Sequence, residues 1–294
     1  MTLKEFFADQ QGLVDQALDR FTPAGTEHPA TIHKAMRHSL FAGGKRIRPI
    51  LCIAAAAAVS DDKTAVMHAA CSLEMIHTYS LIHDDLPALD NDDFRRGKPT
   101  CHKVFGEAMA ILAGDALFTL AIQTLTCIES ADAARVVALI RELSFASGTV
   151  GGMIGGQVTD IEGERQPPTP ELLDSIHRAK TGALLRASVR MGGIAAGGKA
   201  AQIEALSRYG EHVGLAFQIV DDILDVEESS EALGKTAGKD AAQGKITFPA
   251  VYGLDRSRAM AQEQCRLSHD ALLPFGDGAQ RLHEIADLIV QRKS

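Results

Sequence analysis

Apolar residues recur along this chain at helical rather than strand spacing. Leu73, Ile76 and Tyr79 share one face, and Leu139, Ile140 and Leu143 form a second stripe of the same kind. Alternating runs of Val, Ile and Thr are scarce, while Ala, Leu, Glu, Arg and Met fill most segments. The pattern predicts helices over residues 3–20, 30–42, 47–59, 62–83, 106–129, 132–151, 170–190, 199–226, 246–271 and 278–291. Four polar breaks separate them: Phe21–Pro29 with Gly and Pro, Pro87–Thr100, Gly163–Pro170 with three prolines, and the charged, glycine-bearing Glu227–Gly244. No low-complexity linker or short-period repeat interrupts the series. One all-α domain over residues 1–294 is the simplest organisation.

The 294 residues, 46% of them hydrophobic, suffice for a large buried core. A net charge of -8 argues against general nucleic-acid binding, which needs a basic footprint. It leaves room for a local basic pocket around a small anion. The alanine-rich run Ile50–Val59 is too short to cross a bilayer, no segment reads as a span, and stable membrane insertion is not expected. Met1–Gln16 carries acids and no apolar signal core. Cys52, Cys71, Cys101, Cys127 and Cys265 are an odd, scattered set without a C-x-x-C pair, which fits a reduced, cytoplasmic setting.

Two aspartate clusters carry the candidate chemistry. In Asp221-Asp222-Ile-Leu-Asp225, positions 221 and 225 project from one helix face. Their mutual repulsion would be relieved by a hard divalent cation, and magnesium binds through one or two carboxylates with phosphate and water completing its shell. In Asp84-Asp85-Leu-Pro-Ala-Leu-Asp90, the outer aspartates are six apart and share no ideal helix face. Pro87 stops the helix, so the chain should bend and return Asp90 beside Asp84, with Asp92 and Asp93 continuing the acidic run. The helix C-terminus there favours a cation. One isolated cluster is more often a solvated acidic face. Two, each ending an apolar helix and each followed by basic residues, are not explained by solubility.

Basic segments answer them. Gly43-Gly44-Lys45-Arg46-Ile47-Arg48-Pro49 is a glycine-rich turn into a helix, where Arg48 offers a planar fork and Lys45 a point charge to a phosphate. Arg95-Arg96-Gly97-Lys98 follows the first acidic run, Lys180-Thr181-Gly182 lies in a helical stretch, and Lys235, Lys239 and Lys245 fall in or beside the loop after the second cluster. Gln218 and His77 lie on nearly the same helix faces as Asp221 and Asp84. Each of these alone is ordinary surface charge or a structural polar group.

The segments F-A-G-G-K-R-I-R-P, S-L-I-H-D-D-L-P-A-L-D-N-D-D-F-R-R-G-K-P-T-C-H, H-R-A-K-T-G-A-L-L, G-L-A-F-Q-I-V-D-D-I-L-D and G-K-I-T-F-P-A together resemble the trans-isoprenyl diphosphate synthases, in consistent order from about residue 37 to 255. Bacterial farnesyl diphosphate synthases are the nearest type suggested. The resemblance implies an antiparallel helical bundle around a deep central cavity, usually a homodimer. It implies that Asp84, Asp90 and Asp221 bind magnesium, for which manganese would substitute, with Asp85, Asp222 and Asp225 in support. By the same carry-over Arg95, Lys180, Thr181, Gln218 and Lys235 hold the allylic diphosphate (dimethylallyl or geranyl), and Lys180 and Thr181 also stabilise the allylic cation. Lys45, Arg48, His77 and Arg96 hold isopentenyl diphosphate, and Lys245 falls in the second loop-lysine region.

Within that resemblance Tyr79 and Ser80 are candidates for setting product length. At ~1.5 Å per residue Tyr79 lies roughly 7–8 Å deeper along the helix than Asp84, with small Ser80 almost directly beneath the aspartate. Such a floor would admit a farnesyl chain and resist a further addition. A geranylgeranyl diphosphate synthase and an inert partner subunit of a prenyl synthase are the alternatives.

Overall fold

The computed structural model of the chain describes residues 1–129, 131–164, 166–231 and 246–292. Its helices are α1 (Leu3–Phe21), α2 (Ala30–Leu40), α3 (Ile47–Val59), α4 (Val66–Asp84), α5 (Cys101–Phe105), α6 (Glu107–Thr126), α7 (Ala133–Ser147), α8 (Met153–Gly163), α9 (Pro170–His177), α10 (Ala183–Ala195), α11 (Ala200–Glu231), α12 (Phe248–Tyr252), α13 (Leu254–Ala271) and α14 (Gln280–Gln291). A two-residue hairpin of β1 (Phe94–Arg95) and β2 (Lys98–Pro99) follows α4. Local chemistry sets several starts. Thr2 closes a capping box with Glu5, while Thr169 and Thr247 accept first-turn N–H groups of α9 and α12, each with a proline in that turn.

The all-α expectation holds, and the core centres on α4. Cys71, Leu73, Met75, Ile76 and Ile82 are buried on several of its sides, as in a helix surrounded by others. It packs against α3, α6 and α10, and α10 packs in turn on α3, α7 and α11. This frame holds the Asp84 end of α4 and the Asp221 turn of α11.

Besides the short hairpin and α5, which fall where no element was expected, the structure departs from the sequence expectation in four places. The segment expected as 132–151 ends at Ser147, and α8 follows where no helix was predicted. Gly155 and Gly156 weaken the helical signal there by about 1 kcal/mol each. The expected 170–190 helix is α9 and α10 joined by a π-turn at Arg178–Gly182. The expected 246–271 helix breaks at Gly253, whose φ of 77° only glycine adopts freely. Finally, α6 is long and apolar enough to cross a membrane, contrary to the expectation that no segment reads so. Its Ala110, Ala113, Leu117 and Ala121 are buried in the core, while Ile111, Leu112 and Phe118 are exposed.

Candidate active site

α4 ends where Pro87 requires, and the chain doubles back. The Asp90 N–H donates to the Asp84 carbonyl (2.8 Å) and the Asp92 N–H to the Asp85 carbonyl (3.2 Å), with Asn91 turning the chain at φ 50°. The six-residue spacing therefore brings Asp90 back beside Asp84. Burial pushes the Asp84 carboxyl up to about 6; Lys180 opposes this, and Asp90 adds to it. Asp85 is turned into the protein. Arg95 donates to its Oδ1 from Nε (2.7 Å) and Nη2 (2.6 Å).

The hairpin after this run turns at Arg96 and Gly97, both with positive φ (53° and 74°), the geometry of a tight two-residue hairpin. That turn carries the Arg96 guanidinium onto the Gly43 carbonyl. Gly44 permits the approach, since a Cβ there would lie 2.4 Å from Arg96 Nη1. The two basic segments, some fifty residues apart in sequence, are thus one structure.

Arg46 anchors it. The side chain is buried and donates to Glu74 (2.6 Å), Asp15 (2.9 Å) and the Leu40 carbonyl (2.7 Å), tying α1, the end of α2 and α4 to the start of α3. Lys45 and Arg48 flank this clamp. A cavity of about 940 Å³ is lined by Lys45, Arg48, His77 and Arg96. A second, of about 310 Å³, is lined by Arg48, His77, Tyr79, Ser80, Asp84, Lys180 and Thr181. Arg48 and His77 line both and stand at their join. The Arg48 Nε is buried and makes no hydrogen bond among the described residues. Burial lowers its guanidinium to about 10, Glu74 opposing and Arg96 reinforcing the shift, so it remains a cation at neutral pH. Burial, then Arg48 and Arg96, hold His77 well below its ordinary range, which makes it a neutral hydrogen-bonding group.

Lys180 and Thr181 sit on the π-turn, a distortion that re-aims side chains within a continuous helical run. Lys180 Nζ donates to Asp160 of α8 (2.6 Å). The two elements touch through Gly156, where a Cβ would stand 2.1 Å from the Lys180 backbone nitrogen. Gly156→Ala is therefore expected to displace the π-turn and cut turnover by roughly 10²-fold, the order of loss a ~1 Å misplacement brings. An unchanged kcat with unchanged melting temperature would show that the contact has no such role.

On α11, Asp221 is exposed and Asp225 half-buried one turn further on. Asp221 Oδ1 accepts from Arg292 Nη2 (2.7 Å), and the same guanidinium lies 4.2 Å over the Phe217 ring and lines the larger cavity. Asp222 is buried, accepts the Phe248 N–H (2.8 Å) and lies 3.4 Å from His177 Nε2, so it anchors the start of α12. Gln218 shares a hydrogen bond with His177 Nδ1 (3.2 Å). Lys235, Lys239, Lys245 and most of the Glu227–Gly244 loop lie outside the described residues. Three residues of the site stood outside the sequence expectation: Arg46, Asp160 and Arg292. Arg46 stood inside a recognised motif, whereas the other two were in none of the motifs quoted.

A family model for polyprenyl synthetase matches residues 29–270, and the chain belongs to that family. It is a prenyltransferase with the all-α isoprenoid synthase fold. It is 50% identical over 289 residues to the heterodimeric geranylgeranyl pyrophosphate synthase large subunit 1, chloroplastic, of Arabidopsis thaliana, covering 96% of this chain and 77% of that protein. It is 46% identical over 292 residues to a dimethylallyltranstransferase of Fischerella ambigua, covering 99% and 84%. An FPP/GFPP synthase from Zymomonas mobilis superposes with a TM-score of 0.88 at 35% identity, covering 98% of each chain.

Proposed function

We propose that this prenyl diphosphate synthase condenses dimethylallyl or geranyl diphosphate with isopentenyl diphosphate and stops at farnesyl diphosphate. The observation that carries the reading is the pair of adjoining cavities sharing Arg48 and His77, one cation-lined and one carrying Asp84 above Tyr79 and Ser80. Lys45, Arg48 and Arg96 hold isopentenyl diphosphate, with His77 donating a neutral hydrogen bond. Lys180, Thr181, Arg95, Gln218, Lys235 and Lys245 serve the allylic diphosphate.

An all-carboxylate donor set suits a hard divalent cation. Burial and the neighbouring Asp90 disfavour the ionised Asp84 carboxyl, a cost that a bound divalent cation would offset, so the residues fit magnesium. Asp84, Asp90 and Asp221 would hold it, and it would neutralise the departing diphosphate. Asp85, Asp222 and Asp225 support these residues from behind; Asp85 does so through its ion pair with Arg95 and Asp222 by anchoring the start of α12. The cationic side chains add preorganised charge around the leaving group. The cavity walls hold the alkene against the allylic carbon away from bulk water; the bond from that carbon to the diphosphate breaks, the alkene adds to it to form the new C–C bond, and the resulting tertiary cation loses a proton to the released diphosphate.

A geranylgeranyl product is the second reading, favoured by the name of the Arabidopsis relative. A homodimer would cover the apolar side chains left exposed on α6 and α8, including Ile111, Phe118, Ile154 and Val158. All five cysteines are free, as a reducing cytoplasm would keep them. The test is incubation of the purified protein with dimethylallyl diphosphate, isopentenyl diphosphate and magnesium. Farnesyl diphosphate is the expected end product. A geranylgeranyl product would move the reading to the second, and no elongation at all would point to an inert subunit.

A further inference from the structure

On the side of α13 and α14 away from the motifs, two pairs of metal-binding side chains face one another. Cys265 and His269 are one turn apart on α13, and His283 and Asp287 one turn apart on α14; the two helices pack together. His269 Nε2 lies 2.8 Å from Asp287 Oδ1, and Cys265 Sγ lies 3.6 Å from the same oxygen. The three ligand atoms all fall within 4.8 Å of one another. On the far edge of the His269 ring, Nδ1 hydrogen-bonds His283 Nδ1, and the two rings stack at 4.7 Å and 12°.

We propose that Cys265, His269 and Asp287 bind a thiophilic divalent metal ion of the zinc type, with water as fourth ligand and His283 fixing the tautomer of His269. Tetrahedral zinc with sulfur at ~2.3 Å and oxygen at ~2.0 Å sets an S···O edge of about 3.5 Å, close to the separation already present. The nitrogen and oxygen would open by about 0.5 Å to admit the ion, and the sulfur and nitrogen, which lie within 4.8 Å of one another, would settle about 3.5 Å apart. On metal binding the proton that Nε2 shares with Asp287 would leave it, and a ring donating Nδ1–H to His283 would present the Nε2 lone pair to the ion, the arrangement that metal-bound histidines ordinarily have. The donor set also separates this site from the aspartate motifs. Magnesium takes oxygen ligands alone, whereas a thiolate with an imidazole selects zinc or cobalt.

A reactive-cysteine reading fits less well. Burial and Asp287 push the Cys265 thiol up to about 11, so without metal it is a protonated, unreactive thiol. On coordination the S–H bond breaks, the sulfur binds the ion, and the proton passes to solvent. The site would clamp α13 to α14, the helix from which Leu288 and Ile289 reach the cationic cavity and which ends just before Arg292. The proposal does not depend on which prenyl product the enzyme makes.

The probe is cobalt(II), added to the full-length metal-free protein in saturating magnesium so that the aspartate motifs are occupied. One equivalent should produce a thiolate-to-cobalt charge-transfer band with tetrahedral ligand-field bands, displaced by zinc. The band should vanish in Cys265→Ser and persist in Cys127→Ser, which removes the exposed thiol. In His269→Gln, which keeps the thiol, cobalt affinity should fall at least tenfold. Zinc at a hundredfold excess over Kd should raise Tm by roughly 4 °C in the wild type and not in either site variant. No charge-transfer band in the wild type, a band that survives Cys265→Ser, or unchanged affinity in His269→Gln would each overturn the proposal.

Discussion

Asp84→Asn is expected to lower turnover by roughly 10²–10³ or more while making the metal-free protein more stable. The two effects have one cause. The Asp84 carboxyl sits at the end of a core helix, where burial and Asp90 disfavour its ionised form and lift it from 3.8 to about 6. A carboxyl raised in the folded state destabilises the fold as pH climbs from the unfolded value through the folded one, and the full cost is present at neutral pH. Allowing for the side chain's partial exposure, the neutral amide should recover about 1–2 kcal/mol at pH 7, which is several degrees in Tm. That gain should disappear below pH 4, where both forms are neutral. A charge whose cost is retained in the resting protein serves something that arrives later, and here a divalent cation and a diphosphate fit. Cation binding should also tighten as pH rises through about 6, because the ion displaces the Asp84 proton. Titration calorimetry in two buffers of different ionisation heat reads that proton directly. Full turnover in Asp84→Asn, or cation affinity independent of pH between 5 and 7, would remove Asp84 from the metal site.

The return of Asp90 was legible from Pro87 alone, because a proline three residues past the helix end leaves few paths for the chain. The basic residues were legible as types but not as partners. Nothing in the sequence tells that Arg96 reaches Gly43, since the contact depends on a hairpin turn with two positive φ values. Arg46 stood beside Arg48 in the same motif, yet one is locked to Glu74 and Asp15 and the other lines two cavities. Arg46 is the N-cap in the left-handed region, with φ 49°, and Arg48 stands two residues into the helix, about 200° of helical rotation away. The two aspartate pairs divide in the same way. Asp84 lines a cavity and Asp221 is exposed beside Arg292, whereas Asp85 and Asp222 are buried against Arg95 and the Phe248 N–H, a consequence of the 100° rotation between neighbouring helical residues. α8 was invisible for a different reason. Its glycines lower helix propensity, but the close approach of Gly156 to Lys180 needs a residue without a side chain. Propensity and packing conflict there, and packing decides.

Tyr79→Ala is expected to shift the product to chains of twenty carbons or more. Tyr79 is 7% exposed and lines the cavity beneath Asp84 together with Ser80. Its ring meets Phe118 edge-on at 5.4 Å and His83 at 5.7 Å, so it cannot swing aside without losing both contacts. Gly114 leaves room for His83 on the neighbouring helix, since a Cβ there would lie 2.2 Å from the imidazole. The Tyr79 ring is therefore held between Phe118 and His83, and a growing chain that reaches it must stop or displace it. Truncation to alanine removes seven heavy atoms, and one further isoprene unit adds five carbons, so the vacated space fits one more addition. The loss of a buried aromatic costs about 3–5 kcal/mol in a closed core, and less where one face already borders a cavity. Tyr79→Met, which keeps apolar volume but bends easily, should extend the product with a smaller loss of stability. The measurement is product length by mass spectrometry, with thermal melting run alongside to show that each variant is folded. An unchanged product from a folded Tyr79→Ala protein would place the stop elsewhere along the cavity. Longer chains in both variants, with turnover to the first addition preserved, would mark the ring as the floor: Asp84 and Lys180 act at the diphosphate, five residues up the helix or across the cleft, and the ring touches only the hydrocarbon tail.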